Sequence, residues 1–212
     1  MESSSEYWNR VEWGKFSCPN IFLFRFLSAL KIDLDGSRVL ELGFGSGADL
    51  FEMVKRGASA YGVDISKSAV DRIKRRLGRA EFPKVMLGDI SDADAYIKQK
   101  FDLVYSHDVL YYLSESELKE SLSRQRDLLN EDGKIVMHVV TGDYRVHRGE
   151  EIEDSLAILK ESGNPVNFRS RDFYINCIKE LGLKIIGEKD VVESFFIDRK
   201  VRRHNYYICL EN

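Results

Sequence analysis

The chain has 212 residues, 43% of them hydrophobic and 32% charged, with three prolines and a formal net charge of -3. That balance suits one globular domain with a full core and excludes a disordered linker protein. The charge is too small to make a basic field for a polyphosphate, so nothing general favours nucleic acid.

Cys18, Cys177 and Cys209 stand far apart, with no CxxC or His-Cys spacing. This argues against a disulfide framework or a zinc site and fits a reducing compartment. The N-terminal MESSSEYWNR is polar and acidic, unlike a signal peptide, and the longest apolar run, Ile21 to Leu30, is broken by Arg25 and too short to span a bilayer. A cytoplasmic protein with no membrane partner is expected.

In chain order, Ile21, Phe22, Phe24, Phe26, Leu27 and Leu30 predict a buried helix with Pro19 near its first turn. SRVLEL reads as a central strand entering a glycine cluster, and residues 48–56 as a helix stopped by Gly57. Strand SAYGVDI follows, then a helix capped by Ser66 and ended at Gly78, then strand KVMLGDI and a short helical stretch from Ala93 to Lys98. Strand FDLVYSH leads to a helix opened by a Ser114–Glu117 capping box. A turn at Asp132-Gly133 precedes GKIVMHVV, apolar enough to be buried on both faces. Beyond residue 142, GEEIEDSLAILKESG reads as an amphipathic helix and Ser170 to Leu181 as another, with LKIIGEKDVV and HNYYICLEN as closing strands. Alternating strands and helices at this spacing predict a doubly wound α/β sheet.

The chemistry concentrates in VLELGFGSGADL, residues 39–50. A strand ends at Glu41, then Gly43, Gly45 and Gly47 alternate before a helix. Glycines let backbone turn tightly and let a ligand approach, and the helix start offers free N–H groups. The spacing is not the G-x-G-x-x-G of dinucleotide sites. Further acids, Asp64 and Asp89, end the next two strands.

Glu41-Leu42-Gly43-Phe44-Gly45-Ser46-Gly47 resembles motif I of class I S-adenosylmethionine-dependent methyltransferases, and the likeness runs over roughly residues 38–141. It implies a mostly parallel seven-stranded sheet of order 3-2-1-4-5-7-6, strand 7 antiparallel, with helices on both faces. It also implies S-adenosylmethionine as cofactor, with S-adenosylhomocysteine as product. Glu41, Gly43, Phe44, Gly45 and Gly47 would then surround the methionine portion. Asp64 would hold the ribose hydroxyls, Ile65 would pack on adenine, and Asp89 with the backbone of Ile90 would read the base edge. FDLVYSHDVLYYL, residues 101–113, resembles the fourth-strand motif, where His107 would meet the cofactor. The family pattern often has histidines where this chain has Tyr111 and Tyr112, and commonly Asn at the position of His107, so the substrate chemistry of histidine-bearing relatives does not carry over.

His107 and Tyr112 are the candidate catalytic groups, His107 being the better base. Tyr7, Trp13, Tyr111 and Tyr112 are candidates for the substrate side. His138, flanked by apolar residues, reads as a core histidine. Asp108 and Asp143 follow the strands where metal-dependent relatives hold magnesium, but without a third placed ligand no metal is expected. One domain over 1–212 is expected: a helical, aromatic cap at 1–35, a cofactor-binding half at 36–141, and substrate-side helices with a closing hairpin at 142–212. The absence of NPPY-like and Pro-Cys signatures favours a small-molecule oxygen or nitrogen acceptor. The alternatives are an RNA or protein methyltransferase using Lys74-Arg75-Arg76 or Arg199-Lys200-Arg202-Arg203, and a non-catalytic S-adenosylmethionine-binding protein. Acceptor identity and oligomeric state are not set by these residues.

Overall fold

The computed structural model describes residues 4–11, 13, 18–141, 167, 169–194 and 202–212. The helix expected between residues 142 and 169 lies outside the described residues, as do Arg199 and Lys200. Seven strands make one sheet: β1 (Arg38–Leu42), β2 (Ser59–Asp64), β3 (Lys84–Leu87), β4 (Phe101–His107), β5 (Leu129–Val140), β6 (Lys184–Ser194) and β7 (Arg202–Glu211). Their order is β3-β2-β1-β4-β5-β7-β6. The β1–β2, β1–β4, β2–β3 and β4–β5 pairs are parallel, whereas β7 runs antiparallel to both neighbours. This is the topology implied by the family resemblance.

Alternation along the central strands feeds two cores, one on each side of the sheet. Leu40 and Leu42 of β1 enter the core that holds Leu118, Leu122, Tyr174 and Ile178, from α6 (Glu115–Asp127) and α7 (Arg171–Glu180). Val39 points into the other, packed by α2 (Ile21–Ala29), α3 (Ala48–Lys55) and α4 (Lys67–Leu77). Two shorter helices among the described residues are α1 (Ser4–Asn9) and α5 (Ala93–Tyr96).

The capping signals resolve as expected at α4 and α6. Ser66 accepts the Ala69 N–H, and Ser114 with Glu117 closes a reciprocal capping box. Pro19 lies just before α2, next to its first turn as expected. Asn20 is the N-cap, its side-chain oxygen accepting from the N–H groups of Phe22 and Leu23. The Asp132-Gly133 turn is a bulge inside β5, where the register jumps from Phe101↔Leu129 to Leu103↔Lys134. No helix among the described residues is long and apolar enough to cross a membrane.

Candidate functional site

β1 is flanked by β2 on one side and β4 on the other, so the connections leaving these strands diverge at their C-terminal ends. A crevice at such a switch point is where open α/β sheets take ligands. A cavity of about 830 Å³ sits there, bounded by the strand ends, α1 and the start of α2. Of the residues singled out from sequence, Tyr7, Trp13, Glu41, Gly43, Phe44, Gly45, Asp64, Ile65, Asp89, Ile90, His107, Tyr111 and Tyr112 all line it. Gly47 does not. It is the N-cap of α3 at φ 71, where an added Cβ would fall 2.2 Å from Ile73, so its backbone serves the helix start and its packing.

One end of the cavity is built on buried acids. Glu41, Asp49 and Asp64 are 3%, 6% and 5% exposed. Burial raises the pKa of all three, and repulsion from Asp49 and Asp64 raises Glu41 further, well above the usual carboxylate range. No described residue gives Glu41 Oε2 a hydrogen bond. Asp64 receives the Ser66 N–H on Oδ1 and the Gly45 N–H on Oδ2, each at 2.8 Å. A carboxylate has about four acceptor positions, so two remain for a ligand. Among the described residues no lysine or arginine forms an ion pair with these acids. Three desolvated carboxylates without a cation are costly, and a cationic ligand would offset that cost.

Gly45 shows why the loop needs glycine. Its φ is 49 and an added Cβ would meet the Trp13 ring at 2.7 Å. Trp13 also stacks on Trp8 at 5.7 Å and sits 3.3 Å from Ser66 Oγ through its indole N–H. Trp8 meets Tyr112 edge-on at 5.2 Å. The N-terminal aromatic residues thus bridge the glycine loop and the far wall. Asp89 does double duty at the edge: its Oδ1 accepts from Ser91 N and Ser91 Oγ, capping the turn that follows β3.

The other end is made by β4, β5 and β7. His107, His138 and Tyr207 are neighbours across these strands, with ring centroids 4.4 Å and 4.5 Å apart. Asp108 follows His107 in a left-handed conformation, φ 56. Its carboxylate lies 3.0 Å from His138 Nδ1 and 3.7 Å from His107 Nε2. Asn20 closes the group, its Nδ2 being 3.1 Å from His107 Nε2 and 3.0 Å from the Tyr207 hydroxyl. Asn20, Asp49 and Tyr207 were not singled out from sequence. Only the N-cap role of Asn20 had a local signal, its position just before the apolar helix. His138, read from sequence as a core histidine, is both: it is 1% exposed and lines the cavity.

Residues 39–133 match the family model described as a methyltransferase domain. The chain is 27% identical over 147 residues to a phosphoethanolamine N-methyltransferase of Triticum aestivum, covering 69% of this chain and 27% of that protein. It is 34% identical over 102 residues to a magnesium-protoporphyrin O-methyltransferase of Rhodobacter capsulatus, covering 46% and 43%. The chain therefore spans less than half the length of these curated relatives. The fold superposes on magnesium protoporphyrin IX methyltransferase from Synechocystis PCC 6803, solved with bound S-adenosylhomocysteine. That match has a TM-score of 0.65 and 18% identity, and covers 99% of this chain and 88% of that one.

Proposed function

We propose, for a chain whose residues 39–133 match a methyltransferase-domain model, that it is a class I S-adenosylmethionine-dependent methyltransferase that transfers a methyl group directly, in line, to an oxygen or nitrogen of a small molecule. The observation that carries this reading is the trio of buried, raised carboxylates, with no ion-paired cation among the described residues, at a cavity walled by aromatic rings. S-adenosylmethionine supplies a methyl on a sulfonium sulfur beside an ammonium group. Both charges suit a site of this kind, and aromatic faces favour them further.

This chain's own residues divide the work by position. Glu41 and Asp49 offer carboxylates to the cationic portion, and Glu41 Oε2 is the oxygen still lacking a hydrogen bond. Asp64 retains lone pairs for ribose hydroxyls while Gly45 and Ser66 hold it in place. Ile65 offers an apolar face and Asp89 an acceptor for the base. His107 stands at the far end, where the acceptor is to be aligned, Tyr112 lines the cavity against Trp8, and the Trp8–Trp13 wall keeps water out. Among the described residues the space at that end suits a metabolite. The wheat and Rhodobacter relatives, an N- and an O-methyltransferase of small molecules, lend support.

Calorimetry with S-adenosylmethionine, S-adenosylhomocysteine and NAD tests the reading. Binding of the first two and not the third is expected, with Asp64→Ala weakening it about 100-fold, the worth of two charge-assisted hydrogen bonds. No heat with either nucleoside, together with an Asp64→Ala variant indistinguishable from wild type, overturns it. Binding without turnover across a broad acceptor panel would instead mark a sensor.

A further inference from the structure

We infer that His107, Asp108 and His138 form a binding site for one divalent transition-metal ion at the acceptor end of the cavity. The site deepens the proposed function by giving the acceptor an electrophile to dock on, but the ion's binding does not depend on that reading. The three side chains each offer a donor atom, and these donors all lie within 4.8 Å of one another. Strand pairing brings them together: His107 and His138 are register partners across β4 and β5, and Asp108, left-handed in its backbone, sets its carboxylate beside both rings.

The geometry of the pair at the centre is the telling feature. His138 is 1% exposed, and its Nδ1 lies 3.0 Å from Asp108 Oδ1 yet makes no hydrogen bond with any described residue. A buried imidazole nitrogen beside a carboxylate, out of hydrogen-bond alignment, is an expensive arrangement unless something sits off the line between them. Two donors bound to one ion at roughly 2.1 Å, at a tetrahedral angle, stand roughly 3.4 Å apart. The distances of 3.0 Å and 3.7 Å from Asp108 to the two imidazoles bracket that value.

Asn20 supplies the second observation. Its Oδ1 is claimed by the Phe22 and Leu23 N–H groups at the head of α2, which fixes its amide so that Nδ2 faces His107. An N–H donated to Nε2 means that Nε2 carries a lone pair and the ring proton sits on Nδ1. That is the ligand form of histidine. In this arrangement the amide occupies the lone pair that an ion would take, so the two compete for it.

Two imidazoles and one carboxylate select zinc, iron, cobalt or nickel rather than magnesium, which prefers all-oxygen ligands. Three protein ligands leave a position open, and here it faces the cavity. The acceptor's oxygen or nitrogen would fill it. On this account His107 acts as a ligand rather than as the base itself. In sequence Asp108 pairs with Asp143, which lies outside the described residues, and no third ligand is placed with them. The strand register supplies His138 instead.

The test is titration of chelator-stripped protein with Co2+, followed by its visible d–d absorption and by calorimetry. One ion per chain is expected, with the band intensity of a four- or five-coordinate site. Zinc is expected to displace it, and excess Mg2+ to leave it in place. Asp108→Asn and His138→Gln should each weaken Co2+ at least about 10-fold, the usual penalty for losing a ligand or its support. Asn20→Ser, which keeps the helix cap but removes the competing amide, should tighten it. Circular dichroism confirms that each variant is folded. S-adenosylhomocysteine binding is measured on the same samples. No Co2+ binding below the millimolar range, equal displacement by Mg2+, or undiminished affinity in both ligand variants overturns the inference, whatever the nucleoside result. Stoichiometric Co2+ binding lost in those variants sustains it, even if no nucleoside binds.

Discussion

The two ends of the cavity are put together in different ways. The acidic end draws on consecutive strand ends: Glu41 is the penultimate residue of β1, Asp64 closes β2, and Asp89 follows β3, each close to a turn or helix that its own segment starts. The imidazole end draws on distant segments. Asn20 meets His107 across 87 positions of chain and Tyr207 across 187. An end made of successive βα turns repeats one local device, whereas an end made by strand register and a helix cap exists only once the sheet has formed. The first is suited to a ligand common to many chains, and the second is where a particular acceptor can be told from others.

Four experiments can break or sharpen that contrast. The largest effect is expected at the imidazole end: His107→Phe and Tyr112→Phe should each lower turnover by about 100-fold or more. Affinity for S-adenosylhomocysteine should stay within about threefold in both, since neither change removes one of the acids. Turnover kinetics beside calorimetry checks this, and unchanged turnover in both variants would remove the division of labour. Next, Gly45→Ala pushes a methyl toward Trp13 at a residue with positive φ, and disturbs the N–H held by Asp64. A loss of roughly 10-fold in nucleoside affinity is expected, with turnover at saturation little changed.

The third experiment uses pH. Burial raises Glu41, Asp49 and Asp64 in the folded chain, so the folded state holds these protons more tightly than the unfolded one. Their contribution to stability is full below the unfolded carboxylate pKa of about 4 and is lost as pH rises through the folded values. A cationic ligand reverses the trend, because it binds the ionised acids and releases protons. The thermal shift given by S-adenosylmethionine should therefore grow between about pH 5 and pH 8. A shift that shrank over that range would mean that the acids do not face the cation. The smallest effect is a control at a helix cap. Ser114→Ala opens the capping box of α6 and should cost about 1 kcal/mol, read as a Tm lowered by a few degrees with nucleoside affinity intact.

The same contrast decides what could be read without a structure. Strand ends, caps at Ser66 and Ser114, and the acids at 41, 64 and 89 were legible because each rests on a signal within a few residues. Gly47 sits at the N-cap of α3 rather than on the cavity wall, a distinction that alternating glycines do not show on paper. Only the packing of Ile73 separates a helix cap from a cavity wall. Asp49 looks like an ordinary first-turn helix acid until Tyr105 and the Asn20 N–H are found beside it, at 3.5 Å and 2.6 Å. His138 has apolar neighbours in sequence, and its partner Asp108 is supplied by the adjoining strand. Nothing local announces either meeting.

The left-handed turn at Asp108 has a consequence for evolution in the laboratory. A non-glycine residue at positive φ, as Asp108 is, costs about 1 kcal/mol relative to glycine. Variants screened for heat resistance alone should drift to glycine at 108 early, gaining thermal tolerance as the carboxylate disappears from between the two imidazoles. Selection for catalysis should hold that position against the drift, so the residue that survives at 108 records which pressure was applied.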